Sequence, residues 1–426
     1  MIDDVERRAL EAVDVEGLVE AVRKMVAIRS IVGDESAAQE HAAALMSRCG
    51  LDVDVWEIDL EALSRHPAYG TEVTRERALG VVGTMGAGEG GRSLIWNGHV
   101  DVVAAGDEAN WHYPPWQGTV DGGRIYGRGT VDMKGGLCCA LYAAKALRDA
   151  GVVLPGKVLV QSVVGEEDGG VGTLAAIERG HTADGAVVLE PTELVVAPAH
   201  GGGLDFRVTV PGLSAHGAMR EEGVSAIEKF IPLYQALAEL ERVRNEGVDN
   251  PLFARYRIPY SISIGTVRAG NWPSTVPEAL AFEGRCGVAV GENAADARRA
   301  LEEAVHDAAA ADPWLRDHVP VVEWLGAQFE SSYIPTEHPL VGALAGAYQA
   351  ATGSTATVAG MTYGADMRLL VNVAGIPTVL FGPGDPRQAH RPDEFVPVAD
   401  LVAATRTLVV LAMRCCGVGR EEDWVC

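Results

Sequence analysis

Four apolar segments of the sequence each end in an acidic residue or a histidine. Short, continuously apolar segments are typical of strands buried on both faces of a parallel sheet. The segments and the groups that follow them are Ser93 to Asn97 before His99 and Asp101, Lys157 to Val164 before Glu166 and Glu167, Gly185 to Leu189 before Glu190, and Pro377 to Phe381 before a loop that reaches His390. Because ligands bind beyond the carboxyl ends of the strands in open α/β sheets, we expect these groups to converge.

The stretches between these strands predict an α/β fold with a largely parallel sheet. Ser36 to Cys49 has apolar residues at helical spacing, and Leu51 to Ile58 alternates in polarity as a strand does. A helix is also predicted at Pro339 to Thr352. We therefore expect one discontinuous domain, made of residues 1–203 and 328–426.

Residues 204–327 show a different pattern. Their alternating and helical stretches follow the order β-α-β-β-α-β, which is typical of a ferredoxin-like open-faced sandwich. The stretches are Leu204 to Val210, Ser225 to Arg242, Ser261 to Arg268, Ala279 to Val290, Asn293 to Ala311 and Val319 to Leu325. This pattern predicts a second domain inserted into the first.

Length and composition narrow the class of protein. A chain of 426 residues is long enough for two domains. The 35 Lys and Arg against 59 Asp and Glu give a net charge of −24, which disfavours nucleic acid and anionic membranes as partners. The acidic N-terminus lacks the apolar stretch of a secretory signal, and apolar runs such as Thr407 to Met413 are too short to span a bilayer. The 7 cysteines show no disulfide-like spacing, so we expect a cytoplasmic protein with reduced thiols.

A cation would relieve the repulsion among the converging acidic groups, because like charges a few ångströms apart cannot all stay ionised. Imidazole and carboxylate ligands suit Zn²⁺, and Asp132 supplies a carboxylate able to bridge two ions. The Asp101 carboxylate can accept the second N–H of the His99 imidazole. Taken singly, these groups have ordinary interpretations as a turn, a solvated helix start or a helix N-cap. The combination predicts a metal site.

The ordered set of motifs, from Ile28–Glu35 to Ala389–Phe395, resembles the co-catalytic zinc enzymes that include acetylornithine deacetylase, succinyl-diaminopimelate desuccinylase, aminoacylase and glutamate carboxypeptidase. The resemblance implies a zinc-hydrolase catalytic domain with two Zn²⁺ per subunit, for which Co²⁺ or Mn²⁺ could substitute. It implies one ion on His99, Asp132 and Glu190, a second on Asp132, Glu167 and His390, Glu166 as general base, and Asp101 as the residue that orients a ligand. The Asp132-Met133 bond matches a cis peptide of the family.

The segment Gly212 to Ala218 resembles part of the family's lid and dimerisation domain. The resemblance implies that residues 204–327 have this role, that the protein is a homodimer, and that His216 reaches the active site of the partner subunit. Further residues expected near the substrate are Ser274, Arg285, Thr362, Gly364, Asp366, Arg368, Gly382 and Gly384.

Departures from the family pattern concern the substrate. Ser274 stands where desuccinylases and carboxypeptidases usually have Asn, and Gly287 falls near the place of their carboxylate-binding Arg. Arg285, two residues earlier on the same strand face, could replace that arginine. These variants resemble the branch that contains Gram-positive-type acetylornithine deacetylases and formylaminopyrimidine deformylases.

The expected activity is hydrolysis of an N-acetyl or N-formyl amide on a small, amino-acid-like molecule. A dipeptidase, a carboxypeptidase or a desuccinylase is the alternative within the family. A metal-binding scaffold without turnover is the alternative outside it. Glu166 argues against the scaffold, because a structural metal site needs no spare base beside its ligands.

Overall fold

The computed structural model describes residues 3–88 and 90–417. The chain divides into two compact units. The larger unit takes its residues from Met1–Ala199, Tyr333–Ala359 and Ala365–Cys426, and the smaller from His200–Ser332 and Gly360–Gly364. Among the described residues, none of the helices has the length and apolarity that crossing a membrane requires.

Helices and strands are numbered along the whole chain. The helices are α1 (Asp4–Glu11), α2 (Val15–Ala27), α3 (Ser36–Cys49), α4 (Leu60–Leu63), α5 (Gly135–Asp149), α6 (Val171–Glu178), α7 (Ala226–Asn245), α8 (Ala294–Ala311), α9 (Pro339–Thr352) and α10 (Val398–Cys415). The strands are β1 (Asp52–Glu57), β2 (Leu79–Met85), β3 (Ser93–His99), β4 (Thr119–Asp121), β5 (Arg124–Tyr126), β6 (Lys157–Val163), β7 (Gly185–Val188), β8 (Ala199–His200), β9 (Gly202–Pro211), β10 (Ala215–His216), β11 (Ile262–Ala269), β12 (Thr275–Val276), β13 (Ala279–Val288), β14 (Val321–Phe329), β15 (Ser332–Tyr333), β16 (Thr378–Leu380) and β17 (Phe395–Pro397).

A six-stranded sheet with the order β1-β2-β6-β3-β7-β16 forms the centre of the larger unit. Strands β6, β3, β7 and β16 are parallel, whereas β1 and β2 pair in the antiparallel sense. Nearly every residue of β3 and β6 is buried, which accounts for their continuous apolar sequences. The predicted α/β fold is confirmed, and the carboxyl ends of the four parallel strands lie at the same edge of the sheet.

Helix α5 packs closely against the strands that carry the polar groups. Most of its residues are buried, and a Cβ added to Gly136 would lie 2.2 Å from the Leu189 carbonyl oxygen. A Cβ at Gly98 would lie 3.2 Å from the Leu137 Cβ. Small residues at these positions therefore let the helix approach the ends of β3 and β7, directly before His99 and Glu190.

The smaller unit contains a four-stranded antiparallel sheet with the order β11-β13-β9-β14. Together with α7 and α8, these strands follow the predicted sequence β-α-β-β-α-β. Its core includes Phe206, Leu233, Phe282 and Leu301, all of which are buried. A separate two-stranded ladder pairs β10, which contains His216, with β12.

The first prediction concerns the central sheet. Leu94 is fully buried in β3, so Leu94→Ala should lower the free energy of unfolding by about 2–5 kcal/mol through lost burial and the cavity left behind. Val153 is 78% exposed, and Val153→Ala should change that free energy by about 0.5 kcal/mol at most. Urea denaturation followed by circular dichroism measures both. Equal effects of the two substitutions would contradict the described packing.

Candidate metal centre

His99 is the last residue of β3, and its side chain is fully buried. Its Nδ1 lies 2.8 Å from the backbone oxygen of Asp101. A proton on Nδ1 would be donated to that oxygen, which leaves Nε2 as the ligand atom. Nε2 lies 3.1 Å from Asp132 Oδ1 and 3.7 Å from Glu190 Oε1.

Asp101 makes a different contact from the one predicted. The imidazole of His99 is paired with the Asp101 backbone oxygen, while the nearer carboxylate oxygen is 3.7 Å away. The Asp101 carboxylate instead accepts the backbone N–H of Glu167 at 3.0 Å through Oδ2. Asp101 therefore connects the end of β3 to the turn that follows β6.

Asp132 lies between two histidines. Its Oδ1 faces His99 Nε2, and its Oδ2 faces His390 Nε2 at 3.3 Å. Burial alone would raise the pKa of Asp132, but hydrogen bonds from His390 and His99 outweigh burial and hold this pKa well below its usual range. The peptide bond between Asp132 and Met133 is cis, as the resemblance implied.

Glu166 and Glu167 follow β6 and face different groups. Glu167 Oε1 lies 3.0 Å from His390 Nε2. Glu166 is buried, and its Oε1 has no hydrogen-bond partner among the described residues. Burial, followed by the negative charges of Glu190 and Asp366, raises the pKa of Glu166 well above its ordinary value. Two neighbouring carboxylates therefore have distinct environments.

The arrangement fits divalent metal ions. Ligand atoms lie within 4.8 Å of one another in two overlapping groups, one of His99, Asp132 and Glu167 and the other of His99, Glu166 and Glu190. Within the described part of the chain, Glu166 Oε1 and Glu190 Oε1 are buried without a hydrogen-bond partner. Buried carboxylates of this kind require a proton or a cation, and imidazole with carboxylate is a donor set that suits zinc.

Arg128 and Glu394, to which the sequence analysis assigned no role, hold the turn that carries Asp132. Glu394 Oε1 accepts the backbone N–H groups of Val131 and Asp132 at 3.0 and 3.3 Å, and Glu394 Oε2 is paired with Arg128. Glu394 lies four residues after His390 and is fully buried. The loop after β16 therefore carries His390, a candidate ligand, and through Glu394 it also fixes the backbone of Asp132, a second candidate ligand. The contact between Glu394 and Val131 joins residues more than 260 positions apart, so no local sequence pattern predicts it.

The predicted substrate residues of the larger unit are largely buried around this centre. Asp366 accepts a hydrogen bond from Thr173 Oγ1 at 2.5 Å, and Arg368 donates to the Gly169 carbonyl oxygen at 2.8 Å. Asp366 is fully buried and Arg368 is 6% exposed. These contacts hold Gly169 and Thr173, which follow Glu166 in the chain. Direct contact of Asp366 or Arg368 with a substrate stays a prediction.

Gly382 and Gly384 follow β16, and close backbone approach accounts for the first of them. A Cβ on Gly382 would lie 2.4 Å from the carbonyl oxygens of both Leu189 and Glu190. The Gly384 carbonyl accepts the Glu193 N–H at 2.7 Å, and its φ is 84°, in the left-handed region that favours glycine. The two glycines thus let the loop that leads to His390 lie against the Glu190 segment.

The remaining predicted residues, His216, Ser274, Arg285, Thr362 and Gly364, belong to the smaller unit. His216 is exposed, and its Nδ1 accepts the Ala218 N–H at 3.1 Å. The Gly217 N–H donates to the Ser274 carbonyl oxygen, so the structure brings His216 and Ser274 together. Arg285 Nη2 donates to the Gly202 carbonyl oxygen at 2.9 Å.

Comparison with known proteins assigns the family. The sequence matches peptidase family M20/M25/M40 over residues 95–414. The N-formyl-4-amino-5-aminomethyl-2-methylpyrimidine deformylase of Halalkalibacterium halodurans is 32% identical over 397 residues, and the match covers 89% of each chain. The chain therefore belongs to peptidase family M20/M25/M40, and it is a metal-dependent hydrolase of amide bonds.

Solved structures share the fold. The di-peptidase Dug1p of Saccharomyces cerevisiae has a TM-score of 0.77 at 13% identity, with 96% of this chain and 98% of that chain covered. The YXEP protein of Bacillus subtilis, described as a dinuclear metal binding peptidase from the M20 family, has a TM-score of 0.62 at 15% identity, with 93% and 97% covered. Identities this low support the fold and carry no inference about substrate.

The second prediction concerns Asp366 in metal-free protein. Burial is the largest cause that raises the pKa of Asp366, from 3.8 to about 6, and the hydrogen bond from Thr173 opposes it. The unfolded chain therefore loses its proton first as pH rises, and the native state loses stability between pH 3.8 and about 6. Asp366→Asn removes this loss, which should be on the order of 1–3 kcal/mol. Urea titrations of chelator-treated protein across this pH range measure it, and identical pH dependence of variant and parent would contradict the prediction.

Proposed function

We propose that this chain is a two-zinc amidohydrolase that removes a formyl or acetyl group from the nitrogen of a small, amino-acid-like molecule. The observation that carries the proposal is the position of Asp132, whose two carboxylate oxygens face His99 and His390. A carboxylate between two imidazoles suits two ions that share one ligand. The name of the deformylase relative makes the formyl group the first acyl group to test.

The proposed ligand sets follow the histidines. His99, Asp132 and Glu190 would hold one ion, and Asp132, Glu167 and His390 would hold the other. These nitrogen and oxygen donors suit zinc, and they would also accept cobalt or manganese. When bound, the metal pair polarises the acyl carbonyl and makes a nearby water easier to deprotonate.

Glu166 is the proposed general base. Its carboxylate lies beside His99 and Glu190 and carries an oxygen with no partner among the described side chains. Glu166 would take a proton from the water that attacks the acyl carbon and deliver it to the departing nitrogen as the carbon–nitrogen bond breaks. Glu167 cannot replace it, because its carboxylate faces His390. The Asp101 carboxylate accepts the Glu167 N–H and would thereby fix the positions of Glu166 and Glu167 relative to His99.

A panel of N-acyl compounds tests the proposal. Zinc-loaded protein would be incubated with N-formyl aminopyrimidines, N-acetylornithine, N-succinyl amino acids and dipeptides, and released primary amine would be measured. Turnover of formyl or acetyl compounds is expected. Preferred turnover of dipeptides or of succinyl compounds would replace the proposed substrate class, and no turnover of any amide would favour a non-catalytic metal-binding protein.

We place the reaction in the cytoplasm, which suits the six described cysteines, all buried free thiols.

The third prediction separates the two adjacent glutamates. Glu166→Gln should keep its metal content and lose about 10²–10⁴ in kcat, the usual contribution of a positioned acid or base. The matched variant Glu167→Gln should lose metal, since that carboxylate is a proposed ligand. Elemental analysis and amine release measure both quantities. Parent-like turnover by Glu166→Gln would show that the roles are assigned wrongly.

The smaller unit is proposed to be a lid and dimerisation domain that brings His216 to the partner's active site. Helix α7 exposes three apolar side chains at helical spacing, Ile227, Ile231 and Tyr234, with exposures of 48%, 51% and 51%. In the same unit, β11 is an edge strand of the sheet. A second copy paired about a two-fold axis would cover both features and leave no open edge at β11.

The fourth prediction tests this shared site by mixing variants. His216→Ala and Glu166→Gln subunits should each be nearly inactive alone. In a mixed dimer one active site receives an intact Glu166 from one chain and an intact His216 from the other. Random exchange makes half the dimers mixed, so activity per chain should recover to about a quarter of the parent value. Verified exchange without recovery would return His216 to a role within its own chain.

A further inference from the structure

Arg75 lies between α4 and β2 in a segment without regular secondary structure, yet its side chain is only 2% exposed. Its guanidinium pairs with two buried carboxylates. Nη2 and Nη1 lie 2.6 and 2.9 Å from the two oxygens of Asp168, and Nη2 also lies 2.9 Å from Glu35 Oε1. One cation thus joins two separate turns of the larger unit.

The first of these turns carries the proposed base and a proposed ligand. Asp168 directly follows Glu166 and Glu167. A Cβ added to Gly165 would lie 2.7 Å from Arg75 Nη2, so the guanidinium rests against the backbone just before Glu166. Asp168 Oδ2 also accepts the Thr71 hydroxyl at 2.9 Å. The turn of residues 165–168 is therefore held from both of its ends.

The second turn runs beside the end of β3. Glu35 Oε1 accepts the Gly33 N–H at 2.7 Å. Residues 30–32 of the same turn exchange backbone hydrogen bonds with Val102, from Val102 N–H to the Ser30 carbonyl at 2.9 Å and from Val32 N–H to the Val102 carbonyl at 3.1 Å. Val102 is three residues after His99. Arg75 therefore lies between the backbone that bears His99 and the backbone that bears Glu166 and Glu167.

Stability alone gives a poor account of this cluster. A buried ion pair contributes little net stability, because the cost of removing charges from water offsets their attraction. Here two buried carboxylates share one guanidinium. The fixed fork of an arginine does supply geometry, since it can bind both oxygens of Asp168 and still reach Glu35, which an ammonium group cannot reproduce.

We propose that Arg75 is a positioning residue that fixes the distance between His99 and the turn of Glu166 and Glu167, and so sets the geometry in which two metal ions bind. The inference rests on the proposed metal centre and deepens it. Without this link the carboxylates of the turn, which repel Glu190 and Asp132, would move away from His99. Metal affinity and metal coordination should then change before the fold does.

The test compares Arg75→Lys with a matched control, Arg414→Lys. Arg414 pairs with Glu6 in the same unit, through Nε at 2.7 Å and Nη2 at 3.2 Å, and this pair joins α1 to α10. The hydrogen bonds and ion pairs described for these two residues include none with a proposed ligand. Metal affinity would be measured by competition with a chelator, and coordination by the visible absorption spectrum of the cobalt-loaded protein. Arg75→Lys should bind metal about 10–100-fold more weakly and show an altered spectrum. Arg414→Lys should match the parent in both, whatever its Tm.

Parent-like metal affinity and spectrum in Arg75→Lys would overturn the proposal. If that variant does not fold, Asp168→Asn removes the carboxylate charge that pairs with Arg75, and its metal affinity and cobalt spectrum are measured in the same way. Neither measurement needs a substrate. A parent protein that hydrolyses no amide would therefore refute the proposed function and leave the role of Arg75 decided by the metal data alone.

Discussion

Repulsion among carboxylates at one edge of the central sheet is the constraint on which the rest of this structure depends. The carboxylates involved are the buried Asp101, Glu166 and Glu190 and the half-buried Asp132 and Glu167, and the cluster contains two histidines. Burial raises the pKa of Glu166, Glu167 and Glu190 in the metal-free chain. Cations bound by the native state would relieve this repulsion and stabilise the fold by mass action, which would couple metal binding to folding.

The surrounding structure holds the proposed ligands through main-chain contacts. Glu394 fixes the Asp132 turn through backbone N–H groups, and the Asp101 carboxylate fixes the Glu167 backbone. Gly382 lets the loop after β16 approach the Glu190 backbone closely. Each contact acts on the main chain, and the carboxylate of each proposed ligand remains available. Glu167 faces His390, whereas Oε1 of Glu166 has no hydrogen-bond partner among the described residues.

Much of this centre could be predicted from the sequence, because strands buried on both faces are apolar throughout and the first polar residue after each strand is conspicuous. The helices at Ser36–Cys49 and Pro339–Thr352 were predicted with the bounds that the structure shows. Strand β2 was missed. Its Gly80 and Gly83 interrupt the apolar pattern, and both are needed for packing, since a Cβ at Gly80 would lie 2.2 Å from the Trp56 ring.

The supporting contacts could not be predicted, for a different reason. Arg75 and Asp168 are 93 positions apart, and Val131 and Glu394 are 263 apart, so no local pattern reveals that they meet. The role of Asp101 depended on a detail of geometry. Its residue type suggested a carboxylate contact with His99, whereas the backbone oxygen makes that contact and the carboxylate binds the Glu167 N–H. Residue types at strand ends indicate chemistry, and long-range contacts determine how it is arranged.

The most direct test of the central claim is anomalous diffraction at the zinc absorption edge from crystals of the zinc-loaded protein. The claim is that Asp132 is shared by two ions. The measurement should show two zinc peaks per chain, about 3.5–4 Å apart, with one oxygen of Asp132 directed at each. A single zinc per chain, or two zinc ions with Asp132 bound to only one of them, would contradict the claim.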